Sequence, residues 1–203
     1  MKIMKKFIIS LLVLTAVMPV CAQKYDFPID EDGICTFSGT IENSRSQKDN
    51  YSAAKRWCNN QGFTSVMPVT DTPSESFSLN IAFIYSQKVN PFAGAFVEAL
   101  IFELQVEAKD NALTYAFKNL QIQETYGGWG SSNKINPIQY KLEELEDAQK
   151  RLADAQNNPS LSKKERKDIV GDAEDDIDDV NKTLEKAYKE FKEKLDDFIK
   201  TIQ

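Results

Sequence analysis

Two hydrophobic repeats divide the chain. As far as Tyr126 apolar and polar residues mostly alternate, as strands require, and beyond Pro137 they recur every three or four, as helices require. "ICTFSGTIE" sets Cys35, Phe37, Gly39 and Ile41 against Thr36, Ser38 and Thr40, which predicts a half-buried strand. "NSRSQKDNYSAAKRWCNNQG" changes to helical spacing through Tyr51, Ala54, Trp57 or Cys58 and Gln61, with Ser46 or Asp49 as cap and Gly62 as stop. "FTSVMPV" reads as a short strand that Pro68 confines to an edge. "SFSLNIAFIYSQKV" alternates from Phe77 through Leu79, Ile81, Phe83 and Tyr85 to Val89. "AFVEALIFELQVEA" puts Phe96, Leu100, Phe102, Leu104 and Val106 on one face, with Glu98, Glu103, Gln105 and Glu107 read as largely on the other. "KDNA" supplies a hairpin turn. Its partner strand changes apolar phase between Phe117 and Leu120, which predicts a bulge near Lys118 and Asn119.

"TYGGWGSSNKINP" reads as a loop, and its Tyr126 and Trp129 are candidate partner contacts or covers for a sheet edge. Residues 138–156 then place Ile138, Leu142, Leu145, Leu152 and Ala155 on one helical face. Ser162 and Glu165 form a capping box for a second helix, whose stripe runs from Ile169 to Ile202 in a heptad-like, coiled-coil-like seam. The short connection makes the two helices an antiparallel hairpin. The second is the longer, so part of its stripe needs another surface: the sheet of its own domain, or another chain.

The first 22 residues have the three parts of a secretory signal. Lys2, Lys5 and Lys6 lead an uncharged apolar run that is too short to span a bilayer, and a small-residue exit follows. Cleavage after Ala22 fits Val20 and Ala22. A lipoprotein cut before Cys21 competes, but it normally wants Gly, Ala or Ser where Val20 stands. Loss of the leader's three lysines moves the formal net charge from −6 to −9, which argues against nucleic acid or anionic lipid as partner. No other segment approaches a transmembrane span. In an exported chain Cys35 and Cys58 are free to bridge or to remain two buried thiols, and sequence leaves both open.

The order strand, helix, antiparallel strands, with Phe27, Pro28, Asp30 and Gly33 in the lead and Ala54, Arg56 and Trp57 in the helix, resembles a secreted Bacteroidetes domain of unknown function with a TATA-box-binding-protein-like (TBP-like) fold. The late hairpin "FELQVEAKDNALTYAFKNLQI" shares the likeness, which covers roughly residues 26–126. Cys58, Asn59 and Asn60 depart from it. It implies an α+β fold and export, and it carries over no activity and no catalytic residue.

The expected architecture is a signal peptide (1–22), an α+β domain with a helix on one sheet face (23–130), a linker (131–137) and a helical hairpin (138–203). The composition has no histidine, which removes Ser-His-Asp triads, Cys-His dyads and His-bearing zinc sites. The acidic run from Asp172 to Asp179 keeps helical phase and reads as a solvated face rather than a calcium loop. Asp30 and Asp32 lie too close on one strand lead to face each other across a sugar. The sequence marks no cofactor, metal or catalytic residue. The expected function is that of an exported, non-catalytic binding or structural protein of the periplasm or outer membrane, or one released to the medium, with a protein or glycan partner. Self-association through the terminal helices is one further expectation. A carboxylate-dependent hydrolase and a lipoprotein anchored at Cys21 are the alternatives.

Overall fold

The computed structural model describes residues 25–90, 94–127 and 132–203. The leader, Cys21 and Trp129 lie outside these. No described helix is long and apolar enough to cross a membrane. The elements are β1 (Phe37–Glu42), α1 (Gln47–Asn60), β2 (Ser65–Thr72), β3 (Ser76–Asn90), β4 (Gly94–Lys109), β5 (Ala112–Tyr126), β6 (Ser132–Pro137), α2 (Ile138–Asn157) and α3 (Lys163–Ile202). The strands form one antiparallel sheet in the order β1-β5-β4-β3-β2, and β6 also pairs with β5. β1 takes Ala112–Phe117 of that strand and β6 takes Gln121–Tyr126, so two short strands share one edge end to end.

The alternation does what it predicts. Phe77, Leu79, Ile81, Leu100, Phe102, Leu104, Leu113 and Phe117 are buried on the sheet face that α1 and α3 cover. Phe117 is the hub of this core: its ring lies 5.4–6.3 Å from those of Phe102, Phe191, Phe198, Trp57 and Tyr115. α1 starts at Ser46, whose hydroxyl accepts from the Asp49 amide, and stops before Gly62 in the left-handed region (φ 64°). Gly39 lies opposite Tyr115 in the ladder, and a side chain there would come within 2.8 Å of the tyrosine hydroxyl.

The lead is packed rather than loose. Asp30 accepts from the amides of Asp32 and Ile34 at 3.0 and 2.8 Å, and Gly33 takes φ 80°. The D-x-x-G that carries the resemblance is therefore a tight turn. It folds Tyr25 and Phe27 against Tyr188 of α3. Asn50, fully buried, donates to the carbonyls of Lys109 and Ala112 and accepts from Asn43, whose amide also reaches the carbonyl of Ile202. One polar knot joins the β4–β5 turn, α1 and the last helical turn.

Four expectations change. Residues 132–137 are not linker but β6, and it leads straight into α2. The helical hairpin is not a separate unit: Leu184, Ala187, Phe191, Leu195, Phe198 and Ile202 belong to the same core as the sheet. The surplus stripe of α3 has thus found its own sheet, while its N-terminal half pairs with α2 across Ala148, Ala155 and Ala173. β3 does not alternate to its end; Tyr85 is an extra residue in the ladder, so Val89 turns outward and is 70% exposed. Finally, Glu98 is on the helix-covered face. β4 keeps strict period 2 from Phe96 to Ala108, which places position 98 with Leu100 and not with Glu103.

Candidate functional site

Two bulges build the site. The extra residue in β5 is Asn119, at φ 54°, as the phase change predicts. It moves the covered face from Phe117 to Leu120, Ile122 and Glu124. Tyr85 does the same in β3, bringing Ser86 and Lys88 onto that face. Ser86, Glu98 and Glu124 thereby stand side by side across three strands, with Lys88, Phe96 and Tyr126 as the next row outward. Were Tyr85 and Asn119 paired as ordinary strand residues, Ser86, Lys88 and Glu124 would face the open side, so both rows depend on these bulges.

α3 lies over the rows with Thr183 and Lys186, and α2 contributes Lys141 from its first turn. The result is a cleft of about 600 Å³ between helix and sheet. Its floor is charged. Lys141 Nζ lies 3.1 Å from Glu124 and 3.1 Å from Glu144, and its side chain is 11% exposed. Burial works against its charge, but hydrogen bonds to the two carboxylates outweigh that and hold its pKa above the ordinary lysine value. Lys186 Nζ donates to Ser86 Oγ at 3.0 Å and stands 3.8 Å from Glu98. Among the described residues Glu98, with a side chain only 5% exposed, otherwise meets only the Thr183 hydroxyl, at 3.5 Å. The buried Tyr85 hydroxyl has no hydrogen-bond partner among the described residues. Burial first, then the charges of Glu98 and Glu124, drive its pKa up, so it is a neutral phenol.

The remaining candidates separate. Tyr126 is half exposed at the cleft mouth, its ring 4.7 Å from that of Phe96. Cys35 and Cys58 are free buried thiols and form no bridge among the described residues; burial pushes both up to about 12, which leaves them unreactive. Trp57 is core, and its indole N–H donates to Asp197 at 2.8 Å. The acidic run of α3 lies along the helix, with Asp178 and Asp179 paired to Lys182. Among the described residues no group of three or more His, Cys, Asp or Glu is placed to hold a metal.

Charge alone hides the floor from a reader of the sequence. Strand parity would have placed Glu98 on the covered face, and the predicted Asn119 bulge would have placed Glu124 there. The Tyr85 bulge leaves no such signal, because Val89 continues the apolar alternation on the wrong face.

The uncovered face carries a second cleft, also about 600 Å³, with Ser78, Glu103 and Gln105 at its base. Gln105 and Ser78 donate to Glu103, and with the nearby Lys118 charge they hold its carboxyl below the ordinary value of 4.5. A folded-state pKa below the unfolded one contributes stability above about pH 4.5 that is lost as pH falls through the lowered value. Ser78→Ala should therefore flatten the acid limb: its urea midpoint will fall less than wild type's between about pH 5 and about pH 3.

No protein-family model and no curated protein matches the chain. Among solved structures it is similar to a TBP-like protein from Parabacteroides distasonis ATCC 8503, at 12% identity and TM-score 0.47 over 87% of this chain and 96% of that one. It is also similar to a DUF4468 family protein from Bacteroides ovatus ATCC 8483, at 15% identity and TM-score 0.36 over 76% and 89%. Such likenesses concern the path of the chain and assign no residue a role. The structural neighbours of this chain are thus a TBP-like protein and a DUF4468 family protein, both from Bacteroidetes.

Proposed function

We propose that the protein is an exported, non-catalytic binding protein of the cell envelope and that the cleft between α3 and the sheet is its ligand seat. One observation carries the reading: each floor carboxylate has its own lysine, Glu124 with Lys141 at 3.1 Å and Glu98 with Lys186 at 3.8 Å. Each acid thus has a lysine neighbour, and acid–base work falls most often to histidine. The chain offers no imidazole to take that part. Concave sites with a few placed polar groups and an aromatic wall suit small ligands or the end of a larger one.

The test is thermal unfolding of the purified chain with fractionated envelope extract, followed by mass spectrometry of the retained ligand. Binding to the folded state alone raises the midpoint by mass action. The expected result is a raised midpoint, lost in Thr183→Trp, with the ligand recovered unchanged. Turnover of the ligand that Glu98→Gln or Glu124→Gln abolishes would overturn the reading in favour of a carboxylate-dependent hydrolase.

A further inference from the structure

We infer that the α3–sheet cleft takes an acidic sugar, a pyranose ring bearing a carboxylate, at the exposed end of a glycan. The inference rests on the cleft being a binding seat and names its ligand class.

Three features converge on that chemistry. The first is spare acceptor capacity at the floor. An ionised carboxylate offers about four lone-pair sites, yet among the described residues the nearly buried Glu98 has a single hydrogen bond, at 3.5 Å, and a lysine no nearer than 3.8 Å. A group so removed from water and so thinly satisfied calls for donors from a ligand. Lysines alone would select a fully ionised inorganic anion such as sulfate, which brings no donor to this floor. Sugar hydroxyls do.

The second is a surplus of cations at the mouth of an otherwise acidic chain. Lys186 and Lys189 occupy successive turns of α3 on the cleft side, and Lys88 faces them from β3. Lys88 has no ion pair among the described residues, and Lys189 has only an exposed one at 4.0 Å. With Lys182 also on the lining and Asp179 and Glu185 set against it, five lysines meet four acids, an excess of one positive charge suited to one carboxylate. The third is the aromatic ledge of Phe96 and Tyr126, which lies in the same sheet row as Lys88. A ledge of this kind takes the C–H face of a ring while its edges reach polar partners. Hydroxyls on the floor, a ring face on the ledge and a carboxylate at the lysines together describe one acidic sugar residue.

The test is an NMR titration of the purified chain with three probes: galacturonate, neutral galactose and acetate. Galacturonate should shift resonances of the cleft and bind at least about tenfold more tightly than either of the others, a difference of about 1.4 kcal/mol. In the double variant Lys88→Gln, Lys189→Gln, which changes two exposed lysines, galacturonate should fall to the level of galactose. Tyr126→Ala should weaken both sugars. Equal affinity for galacturonate and galactose, acetate binding as tightly as galacturonate, or an unchanged galacturonate affinity in the lysine variant would each overturn the inference. Failure of all three probes would overturn it too. That result leaves the binding reading to be judged by the extract experiment, where a retained ligand of another class separates the two failures.

Discussion

A chain ending at residue 183 is expected not to fold. It would lose Leu184, Phe191, Leu195, Phe198 and Ile202, five large side chains of which none is more than 4% exposed. Burial of each is worth about 1.5–3 kcal/mol, so the loss is about 10 kcal/mol, against a total stability of about 5–15 kcal/mol for a domain. The same cut opens the sheet face under α3, leaves Phe117 without two of its ring neighbours and removes the carbonyl of Ile202 from Asn43. Circular dichroism and dispersion of amide NMR signals check it: the truncated chain should lack a cooperative thermal transition. A sharp transition at a temperature close to the full chain's would show that the terminal helix is an accessory, as a detachable hairpin would be.

Phe117→Ala should cost about 3–5 kcal/mol, the usual range for removing a fully buried ring. The site lies near the top of that range for a structural reason. Its five aromatic neighbours come from α1, β4, β5 and α3, so no single element can shift to fill the space without disturbing the others. Urea unfolding at neutral pH measures it, and Phe117→Leu, which keeps most of the volume, should recover more than half of the loss. A cost below about 1 kcal/mol for the alanine variant would mean that the core collapses around it.

The elements with a strong period were legible in the sequence. β4 and the first half of β5 follow from alternation, α1 from its spacing and cap, and the long helix from its stripe and capping box. The Asn119 bulge was legible because apolar residues on both sides of it announce the change of phase. β6 was not, since "SNKINP" has no alternation and ends in proline; it is a strand because an open stretch of β5 is there to pair with it. The destination of α3 was undetermined for a similar reason. A stripe states that a surface must be covered, and only the assembled sheet supplies the surface. Glu98 and Glu124 escaped because acids suggest solvent, and their burial depends on lysines that come from α2 and α3, far along the chain.

Those two bulges bear on how such a cleft arises and disappears. Excising Tyr85 and Asn119 from the gene would leave every strand, every helix and the sheet order in place and would keep Ser86, Lys88 and Glu124 on the covered side, since each excised residue is the extra one of its ladder. Forcing either into regular pairing is what would rotate those side chains outward. Homologues lacking these insertions would therefore keep both the architecture and the recognition chemistry, whereas pairing the same residues without a bulge would lose the latter, so ladder register, not residue count, is the character by which lineages sharing this shape should be sorted.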